Sequence, residues 1–207
     1  MSLTIRIGRG TLNGLAYLGG LAQLGGRAAY YTVVAPFRGR PLRLDRALHQ
    51  AMAVGVEALP ILSLITFFIG VILALQGAYE LRRFGALHLV PTAVAISMTR
   101  ELGPLMTAIV VIGRSGSAFA AEIGTMKVTE EIDALETMAL NPIQFLVTPK
   151  FLAMLFMMPC LTTWADFMGV LGGSLFGVTS AGFTFGGYIQ ATLDAVHLRD
   201  ILTGLIK

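Results

Sequence analysis

Long apolar stretches separated by short polar segments dominate this chain. The clearest stretch, residues 59–76, reads LPILSLITFFIGVILALQ and includes no charged side chain. A helix needs about 20 mainly apolar residues to cross a bilayer, so this stretch predicts a first membrane span. Later apolar stretches predict a second span over about 86–112 and a third over about 151–178. The pattern therefore predicts a multi-span helical bundle.

The N-terminal segment has a different pattern. Residues 3–31 alternate Leu, Ile and Tyr with Gly and Arg, which is too interrupted for a span but typical of an amphipathic helix lying on a membrane surface. A second helical stretch over 42–57 carries charged residues that place its beginning near the lipid headgroups. Between the two stretches, the helix is predicted to be broken by Pro36, Gly39 and Pro41.

Polar residues return between the second and third spans. Within this segment, apolar residues recur at helical spacing among acidic ones and predict one short amphipathic helix over 122–138, ended by Asn141 and Pro142. An apolar stripe facing water would be unexplained, so we expect this helix to dock in a groove of a partner protein. The stripe consists of Val128, Ile132, Leu135 and Ala139.

The last part of the chain predicts a glycine-rich turn, SAGFTFGG, and the opening turns of another span over 201–207. Together these elements define an all-α integral membrane protein. Residues 1–41 are predicted to form an interfacial helix, and residues 42–207 a transmembrane domain.

Composition agrees with a membrane protein and gives its orientation. Of the 207 residues, 55% are hydrophobic and 13% are charged, which is unlike a soluble domain. The net charge of +3 comes from arginines concentrated before the first span, which indicates a cytoplasmic N-terminus rather than nucleic-acid binding. Residues 80–85 are then outside and the acidic helix is inside, although Arg82 and Arg83 oppose this orientation.

Two charged residues, Arg100 and Glu101, fall within the second span. Ionisable groups at membrane depth are costly and usually face a cavity or pathway. Neighbouring helical residues point about 100 degrees apart, so each should have its own partner, such as a lipid headgroup or a second subunit. The alternative is that the span is shifted and both residues lie at the membrane interface.

Small residues recur every fourth position in two places. Gly116, Ala120 and Gly124 form one stripe, and a longer one lies in the third span. Such stripes let helices approach closely, within one subunit or across a dimer, and the sequence leaves both possibilities open. The longer stripe consists of Ala165, Gly169, Gly173, Gly177 and Ala181.

The sequence gives little support for an enzymatic function. None of the lysines at 127, 150 and 207 is followed by Ser or Thr, so the chain has no phosphate-binding P-loop of its own. Its histidines are far apart and it has one cysteine, which argues against a zinc site. The sequence GRSG at 113–116 has the GxSG form of rhomboid-type intramembrane serine proteases, but helix packing explains Ser115 better.

The segment TRELGPLMTAIVVIGRSGSAFAAEIGTMKVTEEIDALETMALNPIQFLVTPKFLA closely resembles the MlaE family of permeases, also called YrbE, which includes the trigalactosyldiacylglycerol-type permeases of plastids. RELGP, GRxGSA, AEIGxM, the acidic TE segment, the MAxNP stop and GGSLxGV stand in order. The similarity covers nearly the whole chain from about residue 42.

This resemblance implies the permease subunit of an ABC-type phospholipid transporter of the inner membrane. It implies a homodimer that binds two cytoplasmic ATPases, an MCE-domain protein outside and a small STAS-domain protein. No cofactor is expected in this chain, because ATP and Mg²⁺ belong to the ATPase. A passive membrane scaffold that recruits the ATPase without conducting lipid is the alternative.

The resemblance also assigns roles to residues. The acidic helix matches the cytoplasmic coupling helix that docks on the ATPase, and the family continues for two complete spans beyond Lys207. The expected lipid-pathway residues are Arg100, Glu101, Gln76 and Tyr79. The expected coupling residues are Glu122, Val128, Glu130, Glu131, Ile132 and Leu135, and the expected packing residues are Gly116, Gly169, Gly173 and Gly177.

Overall fold

The computed structural model describes residues 3–33 and 44–206, and all regular structure in these ranges is helical. The fold class predicted from the sequence is therefore confirmed. The predicted break at Pro36, Gly39 and Pro41 lies outside the described residues. The helices are α1 (Leu3–Val33), α2 (Leu44–Arg83), α3 (Val90–Ser97), α4 (Gly103–Val111), α5 (Ser117–Val128), α6 (Glu131–Thr137), α7 (Thr148–Ser180), α8 (Phe185–Ala195) and α9 (Leu198–Ile206).

Three helical segments of the described chain are long and apolar enough to cross a membrane: Asp45–Arg83, Leu87–Val128 and Ile143–Ser180. The sequence predicted these spans, but each is longer than its apolar stretch. In the first, the predicted separate helix at 42–57 and the span at 59–76 are one continuous helix, α2. Pro60 lies inside it without ending it, because membrane helices tolerate proline when the freed backbone groups find other partners.

The middle span is interrupted by two π turns, in which an extra residue is accommodated in one helical turn. The first π turn (Met98–Leu102) separates α3 from α4, and the second (Ile112–Gly116) separates α4 from α5. Pro104 follows the first, and a proline ring clashes with the carbonyl four residues earlier in a regular α-helix. The wider turn before Pro104 relieves this clash.

The acidic segment does not form the single helix predicted over 122–138. α5 ends at Val128, and α6 begins at Glu131 after Glu130 adopts a left-handed conformation with φ of 59°. A residue with a Cβ rarely adopts this conformation, and it cannot continue a right-handed helix. The segment is therefore a helix–turn–helix element in which α5 and α6 need not share one face.

The predicted helix stop at Asn141 and Pro142 is also misplaced. α6 already ends at Thr137, and Ala139 has a left-handed φ of 56°. The Asn141 Oδ1 instead accepts a hydrogen bond from the Ile143 backbone N–H at 3.0 Å. Asn141 thus caps the start of the next helical segment, as short polar side chains commonly do.

After α7 the chain turns at Gly182, which has φ of 77°, and enters α8. The Thr184 Oγ1 accepts a hydrogen bond from the Gly187 N–H at 3.3 Å and caps α8, so the second half of the predicted glycine-rich turn is helical. α9 begins at Leu198, before the span expected at 201–207. The sequence analysis did not predict α8.

The chain divides into two compact units. The first unit comprises Met1–Ala51 and Gly124–Met154. Within it, Asn141 Nδ2 donates to the Tyr31 hydroxyl at 2.9 Å, and the Arg46 guanidinium lies 3.9 Å from the centre of the Phe145 ring. These contacts tie α1 and the start of α2 to the segment that precedes α7. The interfacial location of α1 stays a prediction.

The second unit comprises Met52–Ile123 and Leu155–Lys207. In it, α2 and α7 run in parallel with direct backbone contact. A Cβ on Gly70 would overlap the carbonyl of Gly169, and a Cβ on Gly172 would overlap the carbonyl of Phe67. Small residues therefore let these two helices approach more closely than side chains would permit.

The longer small-residue stripe packs within this unit. Gly169 receives the side chain of Met98, whereas Gly173 and Gly177 make room for the fully buried Tyr188 of α8. Among the described residues, a Cβ at Gly116 or at Gly124 would meet no atom within 4 Å, so these two glycines of the shorter stripe make no close packing contact there. Packing of Gly116 against a second copy stays a prediction.

Candidate functional site

The first π turn carries both charged residues predicted from the second span, and Arg100 has a partner in the same chain. Its Nε lies 2.9 Å from Oδ1 of Asp200 in α9. The Asp200 side chain is 13% exposed, whereas the Arg100 side chain is 49% exposed. From the sequence, the expected partner of Arg100 was a lipid or a second subunit, so the pairing with Asp200 was not predicted. The signal in the sequence that could have identified this partner was Asp200 itself, an acidic residue in the first turn of a short amphipathic stretch after the third span.

The Asp200 carboxylate is held by its own helix. Oδ2 accepts a hydrogen bond from the His197 backbone N–H at 3.1 Å, where α9 begins. One turn later, a Cβ on Gly204 would overlap the carbonyl of Thr99 in the first π turn. The face of α9 that carries Asp200 and Gly204 therefore lies directly against the π turn that carries Arg100.

Glu101 lines a cavity of about 230 Å³ beside this contact. The walls come from the first π turn, α4, α7 and α9, so the cavity shares α9 and the π turn with the contact between Arg100 and Asp200. Apart from the Glu101 carboxyl and the hydroxyl of Thr162, the lining side chains are apolar or small. We call this space the Glu101 cavity; the other lining residues are Pro104, Leu105, Ala108, Met158, Pro159, Gly204 and Leu205.

Tyr79 lines a different cavity, of about 330 Å³, which we call the Tyr79 cavity. The Tyr79 hydroxyl accepts a hydrogen bond from Arg83 Nη2 at 3.0 Å, and the Arg83 guanidinium lies 4.9 Å from the ring centre. Gln76 is exposed on α2 one turn earlier. The other lining residues are Leu75, Ala78, Arg82, Leu87, Phe176, Ser180 and Ala181.

The four predicted lipid-pathway residues therefore do not share one cavity. Two residues of α7 show how far apart the cavities are: Thr162 lines the Glu101 cavity, and Phe176 lines the Tyr79 cavity. At a rise of 1.5 Å per residue, the two levels are about 20 Å apart along the helix. Arg100 and Glu101 lie at one level of the second unit, and Tyr79 lies at the other.

A second ion pair joins the middle span to α2. Arg114, in the second π turn, pairs through Nη2 with Oε2 of Glu57. The adjacent Ser115 is only 4% exposed, which agrees with a packing role for this serine. Each of these two π turns thus carries an arginine whose carboxylate partner lies on a different helix, and α4 lies between them.

One buried acidic residue in the third span also escaped the sequence analysis. Asp166 is 9% exposed, and its Oδ1 has no hydrogen-bond partner within the described residues. A Cβ on Gly103 would overlap this oxygen, so the glycine that follows the first π turn leaves room for the carboxyl. A carboxyl at membrane depth was the signal that could have identified it.

The coupling segment presents only part of its predicted apolar stripe. Val128 is 84% exposed, whereas Leu135 is 8% exposed and belongs to the interior. Lys127 Nζ pairs with Asp133 Oδ1 at 2.7 Å and bridges α5 and α6. Met138, 62% exposed, adds an apolar surface that the sequence analysis did not assign. The predicted acidic residues at 122, 130 and 131 are exposed, and Ile132 is half-buried.

The sequence of this chain is similar to those of known membrane permeases. The model of the family described as "Permease MlaE" matches residues 47–207. A "Probable ABC transporter permease protein" of Rickettsia typhi is 42% identical over 167 residues, covering 81% of this chain and 64% of that protein. This chain thus spans less than two thirds of that relative's length.

Similar proteins also occur in Haemophilus influenzae and in a plant. The "Intermembrane phospholipid transport system permease protein MlaE" of Haemophilus influenzae is 42% identical over 159 residues, covering 76% of this chain and 61% of that protein. The chloroplastic "Protein TRIGALACTOSYLDIACYLGLYCEROL 1" of Arabidopsis thaliana is 33% identical over 160 residues, covering 77% of this chain and 46% of that protein. The bacterial relatives are named as permease proteins rather than as enzymes.

Proposed function

Because this chain belongs to the MlaE permease family, we propose that it is the membrane subunit of an ABC-type phospholipid transporter. It works in the inner membrane as a homodimer and provides a path for lipid. ATP is hydrolysed with Mg²⁺ by separate cytoplasmic ATPase subunits. An MCE-domain protein on the outer side and a small STAS-domain protein complete the assembly.

The Glu101 cavity is the observation that carries this proposal. A mainly apolar lining next to an arginine and a glutamate suits an amphipathic molecule, whose tail avoids water while its headgroup needs charged partners. Pockets for small molecules usually measure about 300–1,000 Å³. At about 230 Å³, this cavity accommodates part of a phospholipid, and the remainder extends along the bundle surface.

The coupling surface supports the second half of the proposal. Val128 and Met138 provide exposed apolar contacts, and the same segment carries the exposed acidic residues Glu130, Glu131 and Glu136. A basic groove on the ATPase that accepts these apolar side chains would be complementary in shape and charge. Movement of the ATPase would then reach α5 and α7 through the turn at Glu130 and the cap at Asn141.

Filling the Glu101 cavity tests the proposal. We expect Ala108→Phe to reduce the phospholipid retained by the purified complex several-fold, because the phenyl ring occupies the space next to Glu101. Ile109→Phe is the matched control, since Ile109 is 56% exposed and does not line the cavity. Retained lipid is measured by mass spectrometry of extracts from complexes washed in mild detergent. Equal phospholipid in both variants would count against this cavity as the binding site.

A further inference from the structure

Asp200 uses its two carboxylate oxygens for different contacts. Oδ2 accepts the His197 N–H at the start of α9, and Oδ1 contacts Arg100 Nε across to the first π turn. The carboxylate is nearly buried while half of the arginine side chain is exposed. The acid is therefore the fixed member of the pair, and the guanidinium extends from it toward a surface where a ligand can reach it.

We infer that Asp200 is a positioning residue for phospholipid, which holds the Arg100 guanidinium beside the Glu101 cavity so that it meets a headgroup phosphate. The inference rests on the proposed function. It assigns the recognised chemistry to the phosphate of the lipid, because guanidinium groups bind phosphate oxygens strongly and directionally.

The physical reason is preorganisation. An arginine side chain loses considerable rotamer freedom when it is ordered, and a ligand that must order it binds more weakly. Asp200 orders the guanidinium before lipid arrives. Because Gly204 of the same helix face lies against the Thr99 carbonyl, and Leu205 lines the Glu101 cavity, α9 places the charge and the cavity wall together.

A purely structural role for the pair is less well supported. Ion pairs with half-exposed partners contribute little to stability, because water screens them. A second contact also holds α9 against the first π turn, because Gly204 closely approaches the backbone of Thr99. Loss of the carboxylate charge should therefore alter lipid binding more than it alters the fold.

The test uses the permease purified in complex with its ATPase, titrated with detergent micelles containing phosphatidylethanolamine and phosphatidylglycerol. We expect Asp200→Asn to raise the phospholipid concentration for half-maximal stimulation of ATP hydrolysis about fivefold, with the maximal rate and thermal midpoint nearly unchanged. Asp200→Glu should recover most of the affinity. Asp194→Asn, at an exposed acid of α8, is the matched control and should behave as the wild type.

The exchanged double variant Arg100→Asp with Asp200→Arg separates positioning from structure. It restores an ion pair between α9 and the first π turn, but it moves the guanidinium to α9, so we expect phospholipid affinity to stay low. Recovery of wild-type phospholipid affinity in this double variant would overturn the inference, as would a wild-type response in Asp200→Asn. Stimulation by inorganic phosphate in place of lipid would also overturn it. If phospholipid does not stimulate the wild-type complex at all, the proposed function itself fails.

Discussion

Valine at Gly172 is expected to prevent most of the protein from folding. Its side chain would overlap the backbone carbonyl of Phe67 where α2 and α7 touch, and a backbone group in a packed helix cannot swing aside as a flexible side chain can. Overpacking of this kind costs about 1–3 kcal/mol, and we expect at least the upper end of that range. The thermal midpoint in detergent and the yield of monodisperse protein measure the effect.

Gly77→Val is the matched control for this prediction. Gly77 lies in α2, and a Cβ there would meet no atom within 4 Å. Both variants exchange glycine for valine inside a long helix, so the change in helix propensity is the same. If Gly172→Val folded as well as Gly77→Val, the close contact of α2 with α7 would be wrong.

Aspartate at Val128 is expected to separate this protein from the proposed ATPase partner. The valine side chain is 84% exposed at the end of α5, so the substitution costs the fold little. In a complex, however, the new carboxylate would be buried in the apolar part of the groove that receives the Val128 side chain, and burying a charge there is strongly unfavourable. We expect transport to fall at least about tenfold, equivalent to 1.4 kcal/mol or more, while the protein stays folded in the membrane. Transport of phospholipid between vesicles, and co-purification of the ATPase, measure the two effects.

Val128→Leu keeps an apolar side chain at this position and should transport normally. A charged residue at Leu135 is a poor substitute for the test, because Leu135 is buried and its replacement would unfold the surrounding helices. Unchanged transport by Val128→Asp would show that the ATPase docks elsewhere.

The sequence predicted the features that depend on local composition. The three spans follow from apolar stretches such as 59–76, and α1 follows from its alternation of apolar residues with glycine and arginine. The packing role of Gly169, Gly173 and Gly177 followed from four-residue spacing. Predicting these features requires only helical periodicity and the rule that charged side chains are excluded from lipid.

Features that depend on backbone conformation at single residues were not predictable. The left-handed φ at Glu130 divides the acidic segment into two helices, although glutamate gives no sign of it in the sequence. The first π turn likewise became visible only in the structure, with Pro104 as an ambiguous hint. Helical periodicity across such a break assigned Leu135 to the same exposed stripe as Val128, and this was wrong.

Long-range pairings were also hidden. Arg100 and Asp200 are distant in the chain, and only the docking of α9 on the first π turn brings them together. Glu57 and Arg114 meet in the same way. The sequence indicated that Arg100 and Glu101, as neighbours on one helix, would each need another partner, but a single chain offered many carboxylates and gave no means of selecting between them.

Native mass spectrometry of the protein purified with its neighbouring subunits, in mild detergent, tests the transporter proposal most directly. The expected particle consists of two copies of this chain and two ATPase subunits with phospholipid bound. A single chain carrying neither ATPase nor phospholipid would contradict a phospholipid-transporting permease.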